Sequence, residues 1–261
     1  MMTTRQLVIL TVYGIAFWFT AAICVKLGGS IGIFGKTASV FTFLISIFIS
    51  WLSILLNIKI ANLSSQQIVP GVCYGLMIAT FFDSIFITWF SKLYGSEDEK
   101  IIMGAAWILW GVSFFIIFAI FEYKRRHVGE DFQSLKRDQY IYTIICGIVL
   151  WLFGGLTCKF GESFSIFGQK ASILSFIVAI PSLWISIVAV IKVGNLKKDQ
   201  IITGVSIALS AAVFCDGIAF TWFRALYGKQ LYHIRLGSAW ILWGGFLTFL
   251  FSFVEEYRFK E

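Results

Sequence analysis

FFDSIFITWFSKLYG, residues 81–95, sets one aspartate, Asp83, in an otherwise apolar run; FCDGIAFTWFRALYG, residues 214–228, sets Asp216 in the same place. The two stretches are 133 residues apart. The same offset carries KLGGSIGIFGKTAS (26–39) onto KFGESFSIFGQKAS (159–172), and MGAAWILWG (103–111) onto LGSAWILWG (236–244). No gap is needed. About 40% of positions between 14 and 122 equal their partners, a self-similarity far above chance.

What surrounds these stretches is apolar. Of 261 residues 59% are hydrophobic and 13% charged, with two prolines and a mean hydropathy of +0.86. An ordinary soluble domain is about 45–50% apolar and about 25% charged. The apolar residues come as unbroken runs rather than stripes, which predicts membrane-spanning helices. Cutting at charged or Gly-rich breaks predicts eight, at 6–26, 37–58, 68–90, 101–121, 140–159, 171–191, 200–223 and 236–255. MMTTR carries one Arg and no small-residue cleavage site precedes Lys26, so the first run is read as a span rather than a signal peptide.

Four spans per repeat unit is an even number, so the second unit re-enters the membrane in the orientation of the first. The expected fold is all-α and polytopic: two parallel four-helix repeats, 1–122 and 140–261, related by a pseudo-two-fold axis along the membrane normal, like a fused homodimer. The basic stretch 123–139 reads as a cytoplasmic linker. With both termini on its side, twelve Lys and Arg lie there against nine opposite, which places the termini in the cytoplasm of a cell-membrane protein. The net charge of +7 sits in these short loops, so headgroups and topology explain it and nucleic acid is not an expected partner.

Each half resembles a family of small four-helix bacterial membrane proteins known only as a domain of unknown function. The resemblance rests on Trp18 to Lys26 and Trp151 to Lys159, on Asp83 and Asp216, and on Gly104 to Trp110 and Gly237 to Trp243. Leu93-Tyr94 and Leu226-Tyr227 stand where that family has Phe-Pro. The resemblance implies a four-helix unit and no established activity.

An intramembrane carboxylate costs about 2.5–3.5 kcal/mol at the bilayer centre and so calls for a partner or a function. Asp83 is about 22 Å along its span at 1.5 Å per residue, level with Lys26 at the end of span one. Lys26 with Asp83, and Lys159 with Asp216, are the expected pairs. They are read as interhelical ion pairs, as the lining of an ion- or solute-binding cavity, or as unpaired side chains reaching the headgroups by snorkelling. Thr80, Asp83, Ser84, Thr88 and Ser91 fall on one helical face, and the second copy keeps Asp216 and Thr221 of that stripe. Trp18 and Trp151 lie two turns before the lysines. Trp107, Trp110, Trp240 and Trp243 suit an interfacial belt, with the lining of a binding pocket as the alternative. GGSIGIFG (28–35) reads as a tight connection or a re-entrant turn. Gly71 and Gly75, and Gly204 with Ala208, read as helix-contact faces.

The five cysteines match no metal spacing and read as packing residues. No metal or cofactor is expected. The two histidines fall in loops and no nucleophile motif is present, so enzymatic activity is not expected. Two functions remain: a transporter or ion pathway for a small polar or ionic solute, and a membrane scaffold or regulatory subunit of a partner complex. The expected surroundings are the lipid bilayer and, for either function, a homo-oligomer.

Overall fold

The computed structural model describes residues 2–34, 38–126, 135–164, 166–167 and 171–259. Eight long helices hold most of them: α1 (Thr4–Ser30), α2 (Ala38–Ala61), α3 (Ile68–Trp89), α4 (Asp98–Arg126), α5 (Arg137–Ser163), α6 (Ala171–Val193), α7 (Ile201–Trp222) and α8 (Leu231–Arg258). All eight are long and apolar enough to cross a membrane, as a multi-pass all-α protein requires.

Several helices outrun the expected spans. α4 begins at Asp98 rather than 101 and ends at Arg126 rather than 121. Its 29 residues measure about 43 Å, the thickness of a bilayer with its headgroups. Charge marks where hydrocarbon ends, not where the helix ends. Of the expected linker, residues 127–134 lie outside the described residues.

Local chemistry sets the ends. Thr3 caps α1 in a reciprocal box with Gln6: Gln6 N donates to Thr3 Oγ1 at 3.3 Å and Thr3 N to Gln6 Oε1 at 2.9 Å. α2 and α6 end alike. Asn62 and Asn195 turn left-handed at φ 48° and 45°, and the next N–H, of Leu63 or Leu196, reaches back to Ile58 or Ile191 at 3.0 Å. Those leucines cover Gly71 and Gly204, where a Cβ would come within 2.8 and 2.5 Å of a methyl group. Gly71 and Gly204 therefore seat a turn rather than a helix crossing. Helices do cross closely at Gly14, whose Cβ would meet the Gly75 carbonyl, and at Gly147, whose Cβ would meet that of Ala208. In GGSIGIFG, Gly28 and Gly29 are the buried last turn of α1, and Gly32 turns the chain at φ 77°; residues 35–37 lie outside the described residues.

Four helices are inner and four outer. α3, α4, α7 and α8 have 56–78% of their apolar windows buried, against 17–33% for α1, α2, α5 and α6. α1 packs on α3 and α2 on α4; α5 packs on α7 and α6 on α8. The centre is made by α3 on α8 and α4 on α7. Contacts across it come in exchanged pairs. Phe43 meets Trp222 at 5.5 Å, and Phe176 meets Trp89 at 5.3 Å. Trp110 meets Phe214 at 4.9 Å, and Trp243 meets Phe81 at 6.0 Å.

Candidate functional site

α3 stops at Trp89. Phe90 leaves helical geometry at φ −128°, one 3-10 turn over Ser91–Leu93 follows, and Gly95 takes φ 146°. The turn folds Tyr94 back beneath the last part of α3. There its hydroxyl donates to Asp83 Oδ1 at 2.6 Å, while Trp18 Nε1 on α1 donates to the same hydroxyl at 2.8 Å. Asp83 is 2% exposed. The second half builds the same chain: Trp151 Nε1 donates to Tyr227 Oη at 2.9 Å, and Tyr227 donates to Asp216 Oδ1. Each buried carboxylate thus has a neutral partner, held by a second neutral donor on a neighbouring helix.

The expected Lys–Asp pairs do not form. Lys26 and Lys159 are exposed, and neither makes an ion pair with its aspartate. The eight residues from Trp18 to Lys26 are about 2.2 helical turns, which swings the lysine about 80° off the buried stripe. A neutral tyrosine also avoids desolvating a second charge. The rest of the polar stripe is satisfied within its own helix. Thr88 Oγ1 donates to the Ser84 carbonyl and Thr221 Oγ1 to that of Gly217.

The four tryptophans expected in an interfacial belt turn inward instead and are half-buried. Trp110 and Trp243 donate to the Phe43 and Phe176 carbonyls and stack on those rings. Trp240 donates to the Ser175 carbonyl. Trp107 packs near Phe34 at 5.9 Å, and its Nε1 has no partner among the described residues. Trp110, Trp240 and Trp243 serve as anchors of α2 and α6 onto α4 and α8, because a buried indole N–H needs an acceptor and a helix carbonyl can supply one.

The two halves differ in what lies between their helices. In the second, α5, α6, α7 and α8 line a half-open cavity of about 490 Å³. Asp216, Trp151 and Trp240 border it, with Thr157, Ser182, Ser186 and Thr248 among otherwise apolar lining. In the first half the corresponding void is about 10 Å³. Tyr13, Phe17 and Phe115 fill it where the second half has Cys146, Leu150 and Thr248, and Val112 stands for Gly245. Phe17 and Phe115 pack edge to face at 4.7 Å. Tyr13 also donates to the Ser53 carbonyl at 2.9 Å, tying α1 to α2; Cys146 cannot span the same distance to α6. Of the candidate residues, then, Trp151, Asp216 and Trp240 meet at one cavity. Lys26, Lys159, Thr88 and Trp107 do not join it, and Asp83 is not among the residues lining the remnant.

Two further sets of charged groups are built into the fold, and the first escaped the sequence reading. Glu122 is fully buried and accepts from Trp51 Nε1 at 3.2 Å while paired to Arg125 and Arg126. Glu255 repeats this with Trp184 at 2.7 Å and Arg258. Both members of each Trp–Glu pair are identical between the halves, which was the available signal. The other set joins the halves. Arg224 pairs with Glu99 at 2.8 Å, and Arg235 with Asp98 at 2.7 Å. Arg235 is 5% exposed and also donates to the Ile87 carbonyl. α4 carries Asp98 and Glu99 in its own first turn, and α8 carries no acid there. Glu162, from α5, substitutes by accepting from the Lys229 and Gln230 N–H groups at 2.7 and 2.9 Å.

A scan against protein-family models, a search of curated proteins and a search of solved structures each found no match to this chain.

Proposed function

We propose that the chain is a cell-membrane transporter for a small solute, built as two parallel four-helix repeats about a pseudo-two-fold axis, in which only the second repeat keeps a working site. The observation that carries the reading is the cavity of about 490 Å³ that Asp216 helps to line. Its size is that of a small-molecule site, about 300–1,000 Å³, and an apolar lining with a few convergent polar groups is the usual composition of one. An intramembrane carboxylate facing such a space marks a pathway more often than a scaffold. The first repeat, with its void filled by Tyr13, Phe17 and Phe115, acts as the fixed body against which the second works. The two-fold arrangement draws support from the exchanged ring contacts, since an isologous interface pairs i with j and j with i. Asp83, Tyr94 and Trp18 are then a structural clasp, and Asp216, Tyr227 and Trp151 are the same clasp set beside a cavity. The termini face the cytoplasm, on the excess of twelve basic residues over nine. No catalytic step is assigned.

The test is solute flux into proteoliposomes holding the purified chain, compared with Thr248→Phe, which copies the first repeat's Phe115 into the cavity. Flux in the parent and its loss in the filled variant is the expected result. Equal flux in both would remove the cavity from the pathway.

A further inference from the structure

Three features of the cavity bear on what it accepts, and the inference rests on the reading of it as a solute site. The first is charge. Asp216 is the one charged side chain among the described residues lining the cavity. No basic side chain is among them; Lys159 on α5 is exposed. The second is aromatic surface. The indole N–H groups of Trp151 and Trp240 are both occupied, by Tyr227 Oη and the Ser175 carbonyl. What these residues still offer a ligand is the π-system, which attracts cations. The third is shape. The lining runs along α7 from Val205 to Asp216, eleven residues or about 16 Å, and Asp216 is at one end. Between lie aliphatic side chains such as Val205, Leu209 and Val213 on α7 and Ile187 and Val190 on α6.

We propose that the cavity binds an elongated amphipathic monocation, with its charged head beside Asp216, Trp151 and Trp240 and its apolar body lying along α7. An anion would be repelled by the carboxylate, the more strongly because the apolar lining lowers the local dielectric. A small hydrated cation would leave about 16 Å of apolar channel unfilled and would have too few oxygen ligands. A neutral lipid-like molecule would fit the channel but make no use of Asp216. The first half supplies an internal comparison. Asp83 has the same Trp–Tyr clasp, but the void that corresponds to the cavity in the first half is about 10 Å³ and Asp83 is not among the described residues lining it.

The experiment uses the full chain in nanodiscs and three matched radiolabelled amphiphiles: decyltrimethylammonium, decanol and decanesulfonate. Each is measured by equilibrium dialysis, with binding to empty nanodiscs subtracted. The expected result is saturable binding of decyltrimethylammonium, weakened at least about tenfold in Asp216→Asn and unchanged in Asp83→Asn. Asparagine can still accept from Tyr227, so the fold is spared; a thermal melt of the variant checks this. Thr248→Phe, which places the first half's aromatic ring in the channel, should abolish binding by filling it. If decanol binds as well as the cation, and Thr248→Phe blocks both, the cavity is a solute site but the cation preference is overturned. If binding of the cation survives Asp216→Asn in a folded protein, the proposal also falls. If none of the three binds saturably, the cavity reading falls with it.

Discussion

Cys73 Sγ and Ser206 Oγ lie 3.1 Å apart in the buried centre, and the two residues are 133 positions apart in the chain. Each therefore touches its own counterpart, which is what an axis passing between α3 and α7 requires of the residues beside it. Replacing Ser206 by cysteine puts two thiols within bonding reach. Mild oxidation of the Ser206→Cys variant is expected to join Cys73 to the introduced thiol within one chain, read as protection of both thiols in a mass-spectrometric map. Persistent free thiols at both positions, with the exposed Cys24 oxidised, would count against the arrangement.

Gly14 and Gly147 are where outer helices come nearest inner ones. A Cβ at Gly14 would sit 2.6 Å from the Gly75 carbonyl oxygen, and one at Gly147 would sit closer still to that of Ala208. Backbone cannot yield as a side chain can, so each Gly→Ala change should cost about 1–3 kcal/mol by overpacking. Gly154, with nothing within 4 Å of an added Cβ, borders the cavity and should accept Ala. Melting midpoints in detergent check the contrast; similar drops in all three variants would contradict it.

Tyr94→Phe removes the hydroxyl bonded to Asp83 and strands a buried carboxylate. The loss should be about 1–3 kcal/mol. Combining it with Asp83→Asn should recover part of that loss, because a neutral amide is less costly to leave unmatched than a carboxylate. Tyr227→Phe should be milder, since Asp216 borders an open space. Denaturation of the three variants tests the order.

Arg224 and Arg235 both bridge the halves, yet they should matter differently. The Arg224–Glu99 pair is mostly solvated on the glutamate side, at 57% exposure, and should contribute about 0–1 kcal/mol. Arg235 is buried, and removing Asp98 leaves its charge unmatched; Asp98→Ala should cost about 3–5 kcal/mol. The double change Asp98→Ala with Arg235→Leu should restore most of the stability, because leucine is apolar and Ile102 occupies the matching site in the first half. Melting curves that rank Glu99→Ala above Asp98→Ala would reverse this reading.

The proposed cytoplasmic placement of the termini predicts that a single cysteine at Ser134, in a chain whose native cysteines are changed to Ala, stays unlabelled by an impermeant maleimide in intact cells. It should become labelled on lysis. Labelling from outside would invert the topology.

The eight helices were legible because an apolar run of about 20 residues has few other structures open to it. The pairing of Asp83 was not legible. Depth placed Lys26 level with it, but level is not the same as facing, and about 80° around α1 separates Lys26 from the buried stripe at Trp18. The true partner, Tyr94, stood in view within LYG, kept in both copies, but its approach depends on the backbone turn at Phe90 and Gly95. The cavity was half legible. Tyr13 against Cys146 and Phe115 against Thr248 are plain size differences in the aligned halves, but only the packing of α5–α8 tells that those positions face one space. The acidic Glu97-Asp98-Glu99 and the basic Arg224 and Arg235 are plain differences between the aligned halves, but only the fold sets Asp98 and Glu99 against the two arginines.

That charge exchange bears on whether either half could stand alone. Two first halves docked the same way would set Glu99 against Ser91 and Asp98 against Ile102. Two second halves would set Arg224 against Tyr232 and Arg235 against Leu231. Each self-pairing leaves its charges of one sign without an answer, and only the mixed pairing neutralises both sides. On the proposed two-repeat reading, a gene cut within residues 127–134 is expected to make two fragments, each a poor partner for its own copies and a good one for the other.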